Sequence, residues 1–243
     1  MDTQDTYART ILRSTGLYPD EQLARIFAQR GRNPGMGLAE AAVKFGSASE
    51  EEFLSAIGRV LGLEKVDLEK HPPGAEALTR LPASAVYQYG ALPWRADASA
   101  LTVATNDPFD TVAADGLRMI AHMPVRTVLA AKESVDKAIK KYYGVGADAI
   151  EKMIGDGRYN VDDDAGTLTT IDVNEMGEEA SIVKFVNQII AEADRQGATD
   201  IHIEPQETEL RIRYRIDGML HKVDVPPQLN RLKSAIISRI KVM

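Results

Sequence analysis

The chain has 243 residues, a formal net charge of −7, 44% hydrophobic and 27% charged side chains, and no cysteine. That length suits one large domain or two of ordinary size. The missing cysteines exclude disulfides and thiolate metal sites, no apolar run approaches the roughly 20 residues that span a bilayer, and the start MDTQDTYARTILRSTG lacks the character of a signal peptide. A cytoplasmic protein is the expectation, and an acidic chain argues against a general nucleic-acid binder.

The first 63 residues read as helices. Ile11 and Leu12, then Leu23, Ile26 and Phe27, recur at helical intervals, with Gly16 as the stop between two helices. The plan repeats from Gly37: a short helix, Gly46, Ser49 as N-cap, acids at 50–52, then Phe53, Leu54, Ile57, Val60 and Leu61. Two degenerate helix–turn–helix units form a candidate internal repeat.

From residue 64 to 144 short β-type runs alternate with helical ones. Strand pieces are expected at Ala85–Tyr89 and Ala91–Trp94, a turn at Asp97–Ser99, and a strand at Leu101–Thr105. A helix capped by Asp110 or Thr111 follows, with Val112, Leu117 and Ile120 expected to face inward. PVRTVLAA reads as a further strand and KESVDKAIKKYY as a closing helix ended by Gly144.

Residues 145–179 hold ten acidic and two basic side chains and read as a linker, with DAIEKMI as a possible short helix. The cluster VDDDAGTL lacks the twelve-residue loop and terminal Glu of a calcium site, and the four histidines, His71, His122, His202 and His221, show no metal-ligand spacing.

Residues 180–243 are mildly basic, with ten cations against eight anions. A helix is expected from a cap at Glu179 or Ser181 to Gly197, its inward stripe being Ile182, Val183, Val186, Ile189, Ile190 and Ala193. TDIHIEP, ELRIRYRIDG and MLHKVDV follow as three strands, the last two joined by Asp217-Gly218. PPQLNRLKSAIISRIKVM opens a helix that carries no terminator, which reads as a truncated protein. The fold class is α+β: a helical N-terminal subdomain (1–63), a small α/β domain (64–144), an acidic linker (145–179) and a second α/β domain (180–243).

The second strand holds the clearest chemical signal. Period two puts Arg211, Arg213 and Arg215 on one face and Ile212, Tyr214 and Ile216 on the other. Permanently charged guanidinium groups side by side repel unless an anion lies opposite. Asp200, Glu204, Asp217 and Asp224 could supply it as cross-strand ion pairs, and phosphate brought by a ligand or partner could supply it instead. The chain has no G-x-x-x-x-G-K-[ST] string and no Ser–His–Asp constellation, so no complete active site is legible.

The string GATDIHIEPQETELRIRYRIDGMLHKVDVPPQLNRLKSAIISRIKVM closely resembles the segment before the motor domain of the type II secretion and type IV pilus assembly ATPases, which are hexameric. The resemblance rests on Ala198–Pro205, the R-x-R-x-R-x-D-G strand and the S-R-I-K-V-M helix end, and covers residues 178–243. LTVATNDPFD and AIKKYYG extend it over 64–144, while residues 1–63 match only in pattern. The resemblance implies a PAS-like fold for 180–243, with the P-loop lying outside this chain. It implies that Arg213 and Arg215, with Arg211 beside them and Arg231 before the last helix, contact ATP held with Mg2+ by the motor domain. It further implies docking of residues 1–144 to an inner-membrane platform or bitopic partner, peripheral recruitment from the cytoplasm, a homo-hexamer at full length, and no nucleic acid. Some relatives bind cyclic di-GMP through paired R-L-G-x-x-L repeats. The corresponding positions here are Tyr7, Ala8 and Arg9, then Gly37, Leu38 and Ala39, so the repeats' arginine and glycine do not stand in their places.

Overall fold

The chain opens with two helical hairpins, α1 (Thr3–Ser14) with α2 (Asp20–Arg32) and α3 (Leu38–Phe45) with α4 (Glu50–Leu61), in a computed structural model that describes residues 3–33, 35–150 and 175–243. Their apolar stripes meet: Leu12, Leu23, Ile26, Leu38, Phe53, Leu54 and Ile57 are all essentially buried in one cluster. Ser49 caps α4 as expected, in a full capping box with Glu52. Two compact units divide the chain, Met1–Leu81 with Gln88–Ala138 and Pro82–Tyr87 with Ile139–Met243.

The first unit continues with a short helix α5 (Ala75–Leu78), and α6 (Ala83–Tyr89) leads out of the second unit into β1 (Leu92–Ala96), β2 (Leu101–Thr105), α7 (Thr111–Ala121), β3 (Val125–Leu129) and α8 (Lys132–Tyr143). Its sheet has the order β1-β2-β3, antiparallel then parallel. The parallel pair requires the crossover that α7 makes. Leu92, Leu101, Val103, Ala104 and Leu129 are buried.

Two expectations fail here. Ala85–Tyr89 is helical, not extended. Val86 donates its N–H to Pro82 O, and Ala83, Ala85 and Val86 are buried, so local packing overrides the β-preference of Val and Tyr. In α7, Asp110 is the cap as expected, but the inward residues are Ala113 and Leu117. Val112 is 73% and Ile120 37% exposed. Gly116, on the same side of the helix as both, leaves room for the Tyr89 ring: a Cβ there would come 2.3 Å from the Tyr89 hydroxyl.

The second unit is built on α9 (Glu175–Arg195), β4 (Asp200–Pro205), β5 (Leu210–Ile216), β6 (Met219–Lys222), a 3-10 turn at Pro227–Leu232 and α10 (Lys233–Val242). Its antiparallel sheet has the order β4-β5-β6. Asp217 and Gly218 both have positive φ (48° and 82°), as a two-residue hairpin turn of the primed type demands. Ser181 and Glu179 lie inside α9 rather than capping it. The observed stripe is Ile182, Phe185, Val186, Ile189 and Ala193: Phe185 joins it, while Val183 is only partly buried and Ile190 is 45% exposed.

Residues 145–150, expected as the start of the linker, are not solvated. Val145, Ala149 and Ile150 join the core formed by Phe185, Ile212, Tyr214 and Leu229, and Val145 N–H donates to Asp224 O at 2.9 Å. The remaining expected linker, the calcium-like cluster and most of DAIEKMI lie outside the described residues, except that α9 begins at Glu175.

Among the described residues of this unit, two carboxylates are buried. Asp148 accepts from Lys184 Nζ at 2.6 Å and Gln188 Nε2 at 3.0 Å. Glu192 accepts from Lys140 Nζ at 2.7 Å, Arg195 Nη2 at 2.6 Å and Gln196 Nε2 at 2.6 Å. Burial pushes both carboxyls up, but these donors outweigh it and hold each below the usual carboxylate range.

Candidate functional site

The open face of the second sheet carries the arginines. Alternation along β5 buries Leu210, Ile212 and Tyr214 and leaves Arg211, Arg213 and Arg215 half-buried on the other side. The buried side is anchored by the Tyr214 hydroxyl, which donates to Ile189 O at 2.8 Å, and burial beside Glu192 pushes that phenol up. β5 is the central strand, so its rotamers are confined by neighbours on both edges.

The register sets Asp200 opposite Arg215, His202 opposite Arg213 and Glu204 opposite Arg211. The ion pairs follow the register only in part. Arg215 Nε lies 3.2 Å from Asp200, its direct partner. Glu204 reaches diagonally past Arg211 to pair with Arg213 Nη2. Arg211 is held by Glu209 at 2.8 Å, and Glu209 also meets Lys222 at 3.5 Å. Glu204 lies below the usual carboxylate range because of its bond to Arg213, and Glu209 because of its bond to Arg211.

Of the four acids expected opposite the row, Asp200 and Glu204 form ion pairs with it. Asp217 is in the hairpin turn and Asp224 lies beyond β6, paired through its backbone to Val145. Glu209 was not among the expected acids, although it shares odd parity with the arginines and therefore their face. His202 was also missed: its Nε2 lies 3.3 Å from Arg215 Nη2, which suits a ring nitrogen acting as acceptor. Arg215 Nη1 donates further to Gly218 O at 3.1 Å. Arg213 Nε is enclosed and has no acceptor among the described residues. Arg231 falls in the 3-10 turn, apart in sequence from the strand, and its side chain lies outside the described residues.

Guanidinium donors in a row on a rigid central strand suit phosphate oxygens, which accept in the same planar, forked geometry as carboxylates. Among the described residues no group of three or more His, Asp or Glu side chains is arranged to hold a metal ion. The face can therefore offer positive charge to a polyanion, and the described residues offer no cation site beside it.

In the first unit, the repeat positions fall in the middle of α1 and at the start of α3. Tyr7 is exposed and Ala8 buried, while Arg9 lies over the Phe27 ring, 4.8 Å from its centroid. Gly37 caps α3 without a side chain. Asp107 supplies the acceptor from a distant loop, bonding Ala39 N–H at 3.1 Å and Phe109 N–H at 3.0 Å. A Cβ at Gly37 would stand 2.5 Å from the Asp107 carboxylate, so any other residue there would force Asp107 to shift. The protein packed around Asp107 pushes its carboxyl up, against the pull of those two N–H groups.

The MshEN domain family matches residues 61–149, and the type II/IV secretion system protein family matches residues 175–243. Type IV pilus assembly ATPase PilB of Myxococcus xanthus is 30% identical over 228 residues, 92% of this chain and 39% of that protein. Type II secretion system protein E of Xanthomonas campestris is 31% identical over 214 residues, 86% of this chain and 37% of that protein. The chain thus spans less than half the length of these relatives. A solved structure of MshE with cdg aligns with 56% of this chain and 97% of that chain at 23% identity, with a TM-score of 0.48. Residues 61–149 belong to the MshEN domain family and residues 175–243 to the type II/IV secretion system proteins, which makes this chain a relative of the type II secretion and type IV pilus assembly ATPases.

Proposed function

We propose that this chain is the recruiting and phosphate-sensing part of an ATPase that drives type II secretion or type IV pilus assembly. The carrying observation is the row Arg211, Arg213 and Arg215 on the open face of the central strand, inside the segment matched by the type II/IV secretion system protein family. A guanidinium fixed on one lobe stabilises negative charge on phosphate held by another, as an arginine finger does. Arg213 and Arg215 are the principal contacts, Arg211 assists, and Arg231 is a fourth candidate. ATP and Mg2+ are held by a motor segment that the relatives have and this chain does not span. Residues 1–144 dock the protein from the cytoplasm to an inner-membrane platform or bitopic partner, and the full-length protein works as a hexamer.

The test is made in a version extended to the relatives' full length. Arg213→Ala with Arg215→Ala is expected to lower ATP turnover by about 10³-fold, the scale of losing a transition-state arginine. Unchanged turnover and ATP affinity in that double variant would sink the proposal. The 243-residue chain alone is expected to turn over no ATP.

A second reading makes the first unit a receptor for cyclic di-GMP with no motor role. It is motivated by Arg9, which stands in the third place of the first repeat, where the family has glycine, and lies over the Phe27 ring. Calorimetry with cyclic di-GMP on the wild-type chain and on Arg9→Ala separates the two: tight binding lost in the variant supports the receptor, and no heat of binding removes it.

A further inference from the structure

The arginine row is largely balanced from within, and one of its counter-ions is placed unlike the others. Four cations share the face, Arg211, Arg213, Arg215 and Lys222, against three carboxylates, Asp200, Glu204 and Glu209. Asp200 sits directly opposite Arg215, and Glu209 precedes Arg211 by two residues, just before β5 begins. Glu204 crosses the register to reach Arg213, because His202 occupies the position directly opposite and turns its Nε2 to Arg215. In that conformer the enclosed Arg213 Nε finds no acceptor among the described residues. A buried donor left unmatched is unfavourable, and a guanidinium swung toward a phosphate would regain acceptors for it.

We propose that Glu204 is a displaceable internal counter-ion that holds Arg213 back, so that phosphate engages this face by exchanging with the Glu204 carboxylate. The proposal rests on the reading of the row as a phosphate contact and adds its regulation. Exchange is feasible because the pair is solvent-accessible, its two side chains being 30% and 29% exposed. Pairs of that kind are weak, so a polyphosphate with several negative oxygens outcompetes one carboxylate. Glu204 thereby sets a threshold: the face ignores isolated anions and responds to a polyphosphate presented to it. Glu204 is a positioning residue in this scheme, acting only through Arg213.

The experiment titrates sodium tripolyphosphate into the 243-residue chain at low salt, read by calorimetry. Glu204→Gln is expected to bind about fivefold more tightly than wild type, the scale of one weak ion pair removed from competition. Glu207→Gln changes net charge equally from the exposed turn between β4 and β5, and is expected to shift affinity less than twofold by screening. In Glu204→Gln combined with Arg213→Gln the gain is expected to vanish, leaving the affinity of Arg213→Gln alone. Glu204→Gln binding no tighter than Glu207→Gln, or a gain that survives removal of Arg213, overturns the proposal and leaves the phosphate reading standing. Arg213→Gln and Arg215→Gln binding tripolyphosphate as wild type does would overturn the phosphate reading itself.

Discussion

Carboxylates turned into the protein have opposite fates in the two units. In the first, Asp107 is met by backbone N–H groups, and the protein around it raises its pKa. In the second, Asp148 and Glu192 are met by ammonium, guanidinium and amide donors, and both lie low despite their burial. Enclosure penalises the ionised form in every case; whether a full positive charge answers it decides the sign. Asp107 therefore works as a cap, whereas Glu192 binds α8 to α9 through Lys140.

The largest expected effect is at Glu192. Glu192→Ala strips acceptors from Lys140, Arg195 and Gln196, and is expected to cost about 2 kcal/mol by urea unfolding at pH 7, below the full figure for a buried pair because Arg195 reaches solvent. Glu192 has a folded pKa below its unfolded value. Its contribution is complete above the unfolded pKa of about 4.3 and is lost as pH falls through the folded one. Glu192→Gln is expected to flatten that acid limb, and an unchanged limb would break the comparison. Asp148→Asn should lose about 1 kcal/mol, since Lys184 can still bond the amide oxygen and Gln188 can turn its unmatched Oε1 to accept from the new NH2 group.

Asp107 sharpens the contrast by its sign. Its folded pKa is raised, so the folded state takes up a proton first as pH falls. Wild-type stability is expected to gain from this group between the raised folded value and the unfolded value of about 3.9, where Asp107→Asn shows no such gain. Difference curves of unfolding free energy against pH for the two variants should slope in opposite directions. The smallest effect is expected at Arg213→Gln, within about 0.5 kcal/mol of wild type, because its ion pair lies on an accessible face. A loss several times larger would mean that the arginine row serves stability rather than ligand contact.

Much of this was legible in the residues. The helical hairpins, the Ser49 cap, the Asp217-Gly218 turn and the division of β5 into an arginine face and an apolar face follow from spacing and turn chemistry, which act over a few neighbouring residues. The failures share a cause. Ala85–Tyr89 became helical, Phe185 rather than Val183 and Ile190 joined the core, and Val112 stayed exposed because each depends on which elements pack beside it. Register is also invisible in a single strand, so Glu204 reaching diagonally to Arg213, and His202 bonding Arg215, had no local signature.

What the sequence determined by itself was that three guanidinium groups must share one side of a strand, because side chains alternate with a period fixed by backbone geometry. Which carboxylate each guanidinium meets, and which donor is left unmatched, was decided only when β4 and β6 settled beside β5, since strand register is a tertiary choice made by burying Ile212 and Tyr214 beneath α9.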